Sequence, residues 1–315
     1  MSGGQPDLTV RVPVPDLRPW LAGNVLAGVT SFAAPEPGPH VALSALMHGN
    51  EIAGAIVLDR LLRQGLRPRR GRLSFVFGNL LAYGRFDPMD PTASRFVEED
   101  LNRVWDLETL EGPRRSAELR RARELRPFLD TVDLLLDLHS MLWPSDPLIL
   151  GGATAKGRDL ALAIGVPPLV ITDSGHAAGK RLLDYGRFGQ EDQPATAVLV
   201  EGGPHWRPAT IATLADSARR FLRLSGAVAA AALPPDPAPP APRIATVTRT
   251  VTAATDRFAF LGPVRGGDVV PRRNTLIALD GEAEIRTPHD HCLLVMPSPR
   301  VAAGQTAVRL ARLEV

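Results

Sequence analysis

Six prolines fall within the ten residues 233–242, and a segment so composed neither continues a helix nor enters the interior of a sheet. The run Leu233-Pro234-Pro235-Asp236-Pro237-Ala238-Pro239-Pro240-Ala241-Pro242 is expected to be an extended, semi-rigid linker. It divides the chain into a body, 1–232, and a tail, 243–315, lengths that suit one large domain and one small one. The tail is rich in Thr and Val over 246–252 and carries turn signals at Gly266-Gly267-Asp268, Asp280-Gly281 and Ala303-Gly304-Gln305. It reads as a small all-β domain.

The body alternates short apolar runs with amphipathic stretches. Residues 41–46, 73–77, 132–138 and 197–200 are strand-like, and the near-continuous apolar run 132–138 suits a strand covered on both faces. Residues 51–62, 116–129, 156–164 and 210–224 have helical spacing. The stretch 80–110 lacks a long apolar pattern, so the segment 95–103 within it is expected to be loop, and the charged run 114–126 is expected to be a solvated helix face. The alternation predicts an α/β fold, a three-layer sandwich around a mostly parallel mixed sheet. In open sheets of this kind ligands bind beyond the carboxyl ends of the strands. His48, Asn79, His139 and Glu201 each follow an apolar run, so all four are expected at one edge.

Composition narrows the function classes. The 315 residues are 44% apolar and 5% aromatic, which supports a core mainly of Leu, Val, Ile and Ala. A formal net charge of +2 gives no reason to expect nucleic acid or an anionic membrane as partner. The single cysteine, Cys292, excludes an intramolecular disulfide and a cysteine-based zinc site. No signal-like segment opens the chain and no apolar run is long enough to span a bilayer, so a soluble, cytoplasmic protein is expected, with a homo-oligomer left open.

His48-Gly49-Asn50-Glu51 and the distant His139 supply two imidazoles and a carboxylate, the donor set of a catalytic zinc site with one coordination position left for water. A His-x-x-Glu pair also arises by chance, and a lone histidine after a strand is usually a hydrogen-bonded core residue. The other polar groups favour the metal reading. Glu201, after an apolar strand and before Gly202-Gly203-Pro204, is the candidate general base. Arg95 suits a developing oxyanion. Asn102 beside Arg103 pairs an amide with a guanidinium fork, a combination fitted to a substrate carboxylate. The tract His289-Asp290-His291-Cys292 and the histidines 176 and 205 are expected to be ordinary hydrogen-bonding residues.

The ordered set His48-x-x-Glu51, Arg95, Asp100-Leu101-Asn102-Arg103, Asp137-Leu138-His139 and Glu201 resembles the succinylglutamate desuccinylase/aspartoacylase family of the zinc carboxypeptidase superfamily. The match runs over roughly residues 40–205 and the β tail also suits it. The resemblance implies one zinc per chain, held by His48, Glu51 and His139. It implies Glu201 as the residue that activates water and Arg95 as the group that polarises the scissile carbonyl. Asn102 and Arg103 would bind the substrate carboxylate of an N-acyl amino acid, and the reaction would be amide hydrolysis. Two departures bear on the acyl group. Ser140-Met141-Leu142 stands where the family continues with a Thr-containing segment, and 173–187 lacks the family's Tyr and Arg four residues apart. Tyr185 and Arg187 lie on that stretch and are the candidate pocket contacts. A zinc carboxypeptidase acting on peptides and a non-catalytic metal- or carboxylate-binding relic remain the alternatives.

Overall fold

The computed structural model describes residues 6–175 and 178–314. The body runs β1 (Val29–Ala33), β2 (His40–Ala45), α1 (Ile52–Arg63), β3 (Arg72–Phe77), α2 (Leu80–Tyr83), α3 (Leu107–Glu111), α4 (Ala117–Leu129), β4 (Leu134–Met141), β5 (Leu148–Gly152), α5 (Ala155–Ile164), β6 (Leu169–Thr172), β7 (Thr196–Pro204) and α6 (Pro208–Ser225). The tail adds β8 (Arg243–Thr252), β9 (Phe258–Phe260), β10 (Val269–Val270), β11 (Leu276–Asp280), β12 (Ala283–Arg286), β13 (Cys292–Val295) and β14 (Thr306–Leu313).

One eleven-stranded mixed sheet, in the order β1-β3-β2-β4-β7-β5-β6-β8-β14-β13-β10, dominates the molecule. Its middle strands β3, β2, β4 and β7 are parallel. Successive side chains of a strand point to opposite faces, and both faces are covered here. Val41, Leu43, Leu136 and Val198 join one core with Ile52, Ile56, Ile211 and Phe221 of α1 and α6. Ala42, Leu135, Ala197 and Leu199 join a second core with Leu119, Leu125, Val104 and Trp105. The helices stop where their local chemistry directs. Ser116 caps α4 by accepting from the Leu119 N–H at 2.9 Å. Pro208 opens α6, and Gly226, left-handed at φ 62°, ends it.

The tail differs from an independent β domain. Its long strand β8 pairs in parallel with β6, Leu169 opposite Arg243 through Thr172 opposite Thr246. Strands β14, β13 and β10 continue the sheet antiparallel, and only β9, β11 and β12 form a separate small sheet. The proline-rich segment leads into this pairing while held against α6. The Asp236 carboxylate accepts from Arg219 Nε at 2.6 Å and Arg223 Nε at 2.7 Å.

The segment 95–103 is loop ending in a 3₁₀ turn at Leu101–Arg103, and it lies between the short helices α2 and α3. One local expectation is corrected: the α4 face is not wholly solvated. Glu118 is fully buried and accepts from the N–H groups of Val97, Glu98 and Glu99 and from Asn79 Nδ2. A carboxylate that gathers four donors explains how a segment without apolar periodicity becomes ordered. Among the described residues, no helix is long and apolar enough to cross a membrane.

Helix α1 lies close against the sheet at Gly54, where a Cβ would stand 3.0 Å from the Cβ atoms of Ala45 and Leu138. Gly54→Val should push α1 off β2 and β4 and destabilise the protein by about 1–3 kcal/mol. Urea unfolding is expected to show a lower midpoint with an unchanged slope. A wild-type midpoint would refute the tight contact.

Candidate metal centre and the cavity around it

Because β2, β4 and β7 are parallel neighbours, their carboxyl ends emerge on one edge of the sheet. His48 lies just beyond β2, His139 lies within β4, and Glu201 stands opposite His139 in register on β7. Glu51 is the N-cap residue of α1 but makes no side-chain capping bond there. Asn79, also at a strand end, does not join them. Its Oδ1 caps α2 by accepting from the Ala82 N–H and its Nδ2 donates to Glu118, a structural use that fits a strand-end amide equally well.

Ligand atoms of His48, Glu51 and His139 all lie within 4.8 Å of one another, and all three residues are buried. Glu51 stands between the two rings: Oε1 is 2.7 Å from His48 Nδ1 and Oε2 is 3.0 Å from His139 Nδ1. The far nitrogens are each held by a further carboxylate. His48 Nε2 is 2.9 Å from Asp100 Oδ1, and His139 Nε2 is 2.8 Å from Asp137 Oδ2. Asp137 is in turn fixed by the Ser44 hydroxyl, which donates at 2.6 Å. Carboxylates on the outer ring nitrogens set tautomer and orientation, as partners of metal-ligating histidines generally do. Nδ1 of both rings is thereby left on the Glu51 side. Two imidazoles and a carboxylate, buried together, are the chemistry zinc accepts.

The charges fit this grouping. Burial alone would raise the Glu51 carboxyl, but His48 and His139 outweigh it and hold it well below the usual carboxylate range. Burial would lower His139, but Asp137 and Glu51 hold it well above its ordinary value. Glu201 goes the other way. Burial first, and the nearby Glu51 charge second, push its carboxyl up to about 8. Its Oε2 has no hydrogen-bond partner among the described residues.

These groups line a cavity of about 600 Å³. Arg95 reaches in beside the triad, with Nη2 3.0 Å from Asp100 Oδ2 and Nη1 3.3 Å from Glu51 Oε1. Asn102 and Arg103 also line it. Asn102 Oδ1 accepts from the Leu182 N–H at 2.8 Å, tying the 181–184 turn to the cavity wall. A larger open groove of about 780 Å³ lies elsewhere, around His40 and Asp133, and shares none of these residues.

Tyr185 and Arg187 are corrected: neither lines this cavity. The Tyr185 hydroxyl donates to Asp130 at 2.6 Å while the ring packs on Trp105, and Arg187 donates to the Val132 carbonyl. The same stretch sends Arg181 inward instead, paired with Asp173 at 2.6 Å and Asp184 at 2.7 Å. From the tail comes Arg309 of β14, 2% exposed and 3.5 Å from Asp173. No periodicity or motif marks Arg309, because only the long-range pairing of β14 with β8 carries it to the cavity. His205 is buried against Ser140 Oγ at 2.7 Å. His289 bonds Thr248 Oγ1 rather than joining a metal cluster, and His176 lies outside the described residues.

Residues 37–180 match the model of the succinylglutamate desuccinylase/aspartoacylase catalytic domain. A succinylglutamate desuccinylase from Pseudomonas aeruginosa (strain LESB58) is 36% identical over 131 residues, 39% of this chain and 37% of that protein, so the match spans little more than a third of the relative. A succinylglutamate desuccinylase from Burkholderia cenocepacia is 26% identical over 305 residues, covering 91% of this chain and 85% of its own. In three dimensions the chain is similar to the crystal structure of succinylglutamate desuccinylase from Vibrio cholerae, with a TM-score of 0.70 at 19% identity over 91% of this chain and 86% of the other. That last likeness is one of fold.

The raised carboxyl of Glu201 has a sign that can be measured. An unfolded glutamate ionises near its ordinary value of about 4.3, whereas the folded one stays protonated until about pH 8. Folding stability is thus lost as pH rises between the two. In metal-stripped protein, the Tm advantage of Glu201→Gln over wild type should be small at pH 5 and largest at pH 8. Equal differences at the two pH values would show that the carboxyl is not shifted.

Proposed function

The chain belongs to the succinylglutamate desuccinylase/aspartoacylase family, and from that premise we propose that it is a zinc-dependent amidohydrolase. Its substrate is an N-acyl amino acid or a similar small amide bearing a carboxylate. The observation that carries this reading is the meeting of His48, Glu51 and His139 with a buried, partnerless carboxylate oxygen on Glu201. A binding site for a metal alone has no use for such a base.

His48, Glu51 and His139 would hold one zinc per chain. When bound there, zinc would supply Lewis acidity toward the substrate carbonyl and lower the pKa of water. The remaining steps belong to the chain's own residues. Glu201 accepts the proton of the attacking water and delivers it to the leaving nitrogen, a task suited to a carboxyl that lines the cavity opposite His139 with one oxygen unengaged. Arg95, steadied by Asp100, faces the oxygen that gains charge as the carbonyl becomes tetrahedral. Arg103, with Asn102 beside it, takes the substrate carboxylate, and Arg181 and Arg309 line the same cavity. We assign 1–232 as the hydrolase domain, 233–242 as the linker and 243–315 as a small β domain, joined to the body's sheet through β8, that walls the site with Met296, Ser298, Gln305 and Arg309. That wall favours small amides over long peptides and sets the deacylase reading above a carboxypeptidase one.

A panel of N-acyl amino acids and C-terminally free or blocked dipeptides tests the proposal, with and without chelator. Zinc-loaded protein should hydrolyse at least one N-acyl amino acid, lose the activity to chelator and regain it with zinc. His139→Ala should abolish both metal binding and turnover. Inactivity against the whole panel, with His139→Ala still binding zinc stoichiometrically, would sink the reading. Arg95→Ala should lower kcat on the order of 10²–10³-fold, the cost of one oxyanion donor. An unchanged kcat would remove Arg95 from the reaction.

A further inference from the structure

Four residues after Glu201, the chain leaves β7 and makes an unusual pair of contacts. The His205 N–H donates to the Met141 carbonyl at 2.8 Å, which keeps the departing chain against the end of β4. The next residue, Trp206, has φ 58°, a left-handed conformation uncommon for a residue with a bulky side chain. Strain of this kind costs about 1–3 kcal/mol and persists only where the surroundings enforce it. Both side chains are buried, at 3% and 1% exposure.

The two side chains go to the two segments that carry the metal-ligand triad. His205 Nδ1 is 2.7 Å from Ser140 Oγ, and the Ser140 N–H donates to Glu51 Oε2 at 3.1 Å. The Trp206 Nε1–H donates to the carbonyl of Asn50 at 2.9 Å, one residue before Glu51 in the turn that holds His48. One dipeptide just beyond the strand of the proposed base therefore bonds both to the residue after His139 and to the residue before Glu51. Neither residue lines the cavity or belongs to the ligand group.

We propose that His205 and Trp206 are positioning residues that fix the His48–Glu51 turn relative to the end of β4, and so set the metal affinity of the triad. The proposal rests on reading that triad as a metal site. Burial holds the His205 ring neutral by pushing it down to about 4, so its hydrogen bond to Ser140 does not change character across the neutral range. The ordinary alternative is that Trp206 is only a large core aromatic, packed near Phe86 at 6.4 Å between ring centres. The two roles separate on the indole N–H, which packing does not need.

The test is zinc affinity, measured by chelator competition on the full-length chain, alongside thermal unfolding of the metal-stripped protein. Trp206→Phe keeps an aromatic ring and removes the donor. It should weaken zinc binding about 10–100-fold, the usual cost of losing an outer partner of a metal site, with little change in the unfolding of the stripped protein. His205→Leu should do the same, and His205→Gln, which can still bond Ser140, should recover most of the affinity. This second pair carries the test if Trp206→Phe fails to fold. Wild-type affinity in both Trp206→Phe and His205→Leu would overturn the proposal, as would His205→Gln and His205→Leu losing affinity equally. Wild-type protein that binds no zinc would overturn both this proposal and the metal reading beneath it. Wild-type protein that binds zinc normally while the variants are unaffected would overturn this proposal alone.

Discussion

The carboxylate of Glu51 is the contact on which the site depends. One oxygen faces His48, the other faces His139 and the Ser140 N–H, and the residue is buried throughout. It begins α1, where a side-chain oxygen would ordinarily cap a free backbone N–H. Here the carboxylate turns away from the helix and no capping bond forms. The helix gives up a cap, and in exchange two strands distant in sequence share one charged centre. The positive end of the α1 dipole favours a negative charge in that position even without the bond. Asp100 and Asp137 complete the arrangement from outside, each on the outer nitrogen of one ring.

Much of this was legible in the sequence, and the reason is geometric. Parallel strands covered on both faces leave apolar runs, and the polar residue ending each run marks the same edge of the sheet. His48, His139 and Glu201 follow that logic and meet. Asn79 follows it equally and does not meet them, since a strand-end amide also serves as a helix cap. The residues that escaped notice are those whose placement depends on contacts remote in sequence. Glu118 looked like one charge on a solvated helix, yet it organises the loop that carries Arg95 and Asn102. Arg309 lies in a strand with no motif around it, and Arg181 stands four residues before Tyr185, whose hydroxyl is bound to Asp130. Charge and spacing show that such residues exist. They do not show which way a turn will send them.

Around the triad the cavity combines groups that burial treats in opposite ways. Glu201 is driven toward its neutral form, whereas Glu51, a few ångströms away, is held ionised by two imidazoles. Two carboxyls of one residue type thus take different protonation states because their neighbours differ. The arginines add a third element. Arg181 is neutralised by Asp173 and Asp184, while burial, together with Arg181 and Arg103, pulls Arg309 down to about 10 although Asp173 opposes it.

The pairing of β6 with β8 limits how this molecule can move. Four successive residue pairs splice the C-terminal strands into the backbone ladder of the body, so swinging them aside as a rigid flap would require tearing a sheet in its interior. Removal of the last seventy or so residues would also expose a raw β edge, prone to self-association. The small half of the chain is thus a fixed masonry course, and the volume it leaves open is a permanent gauge of what may pass.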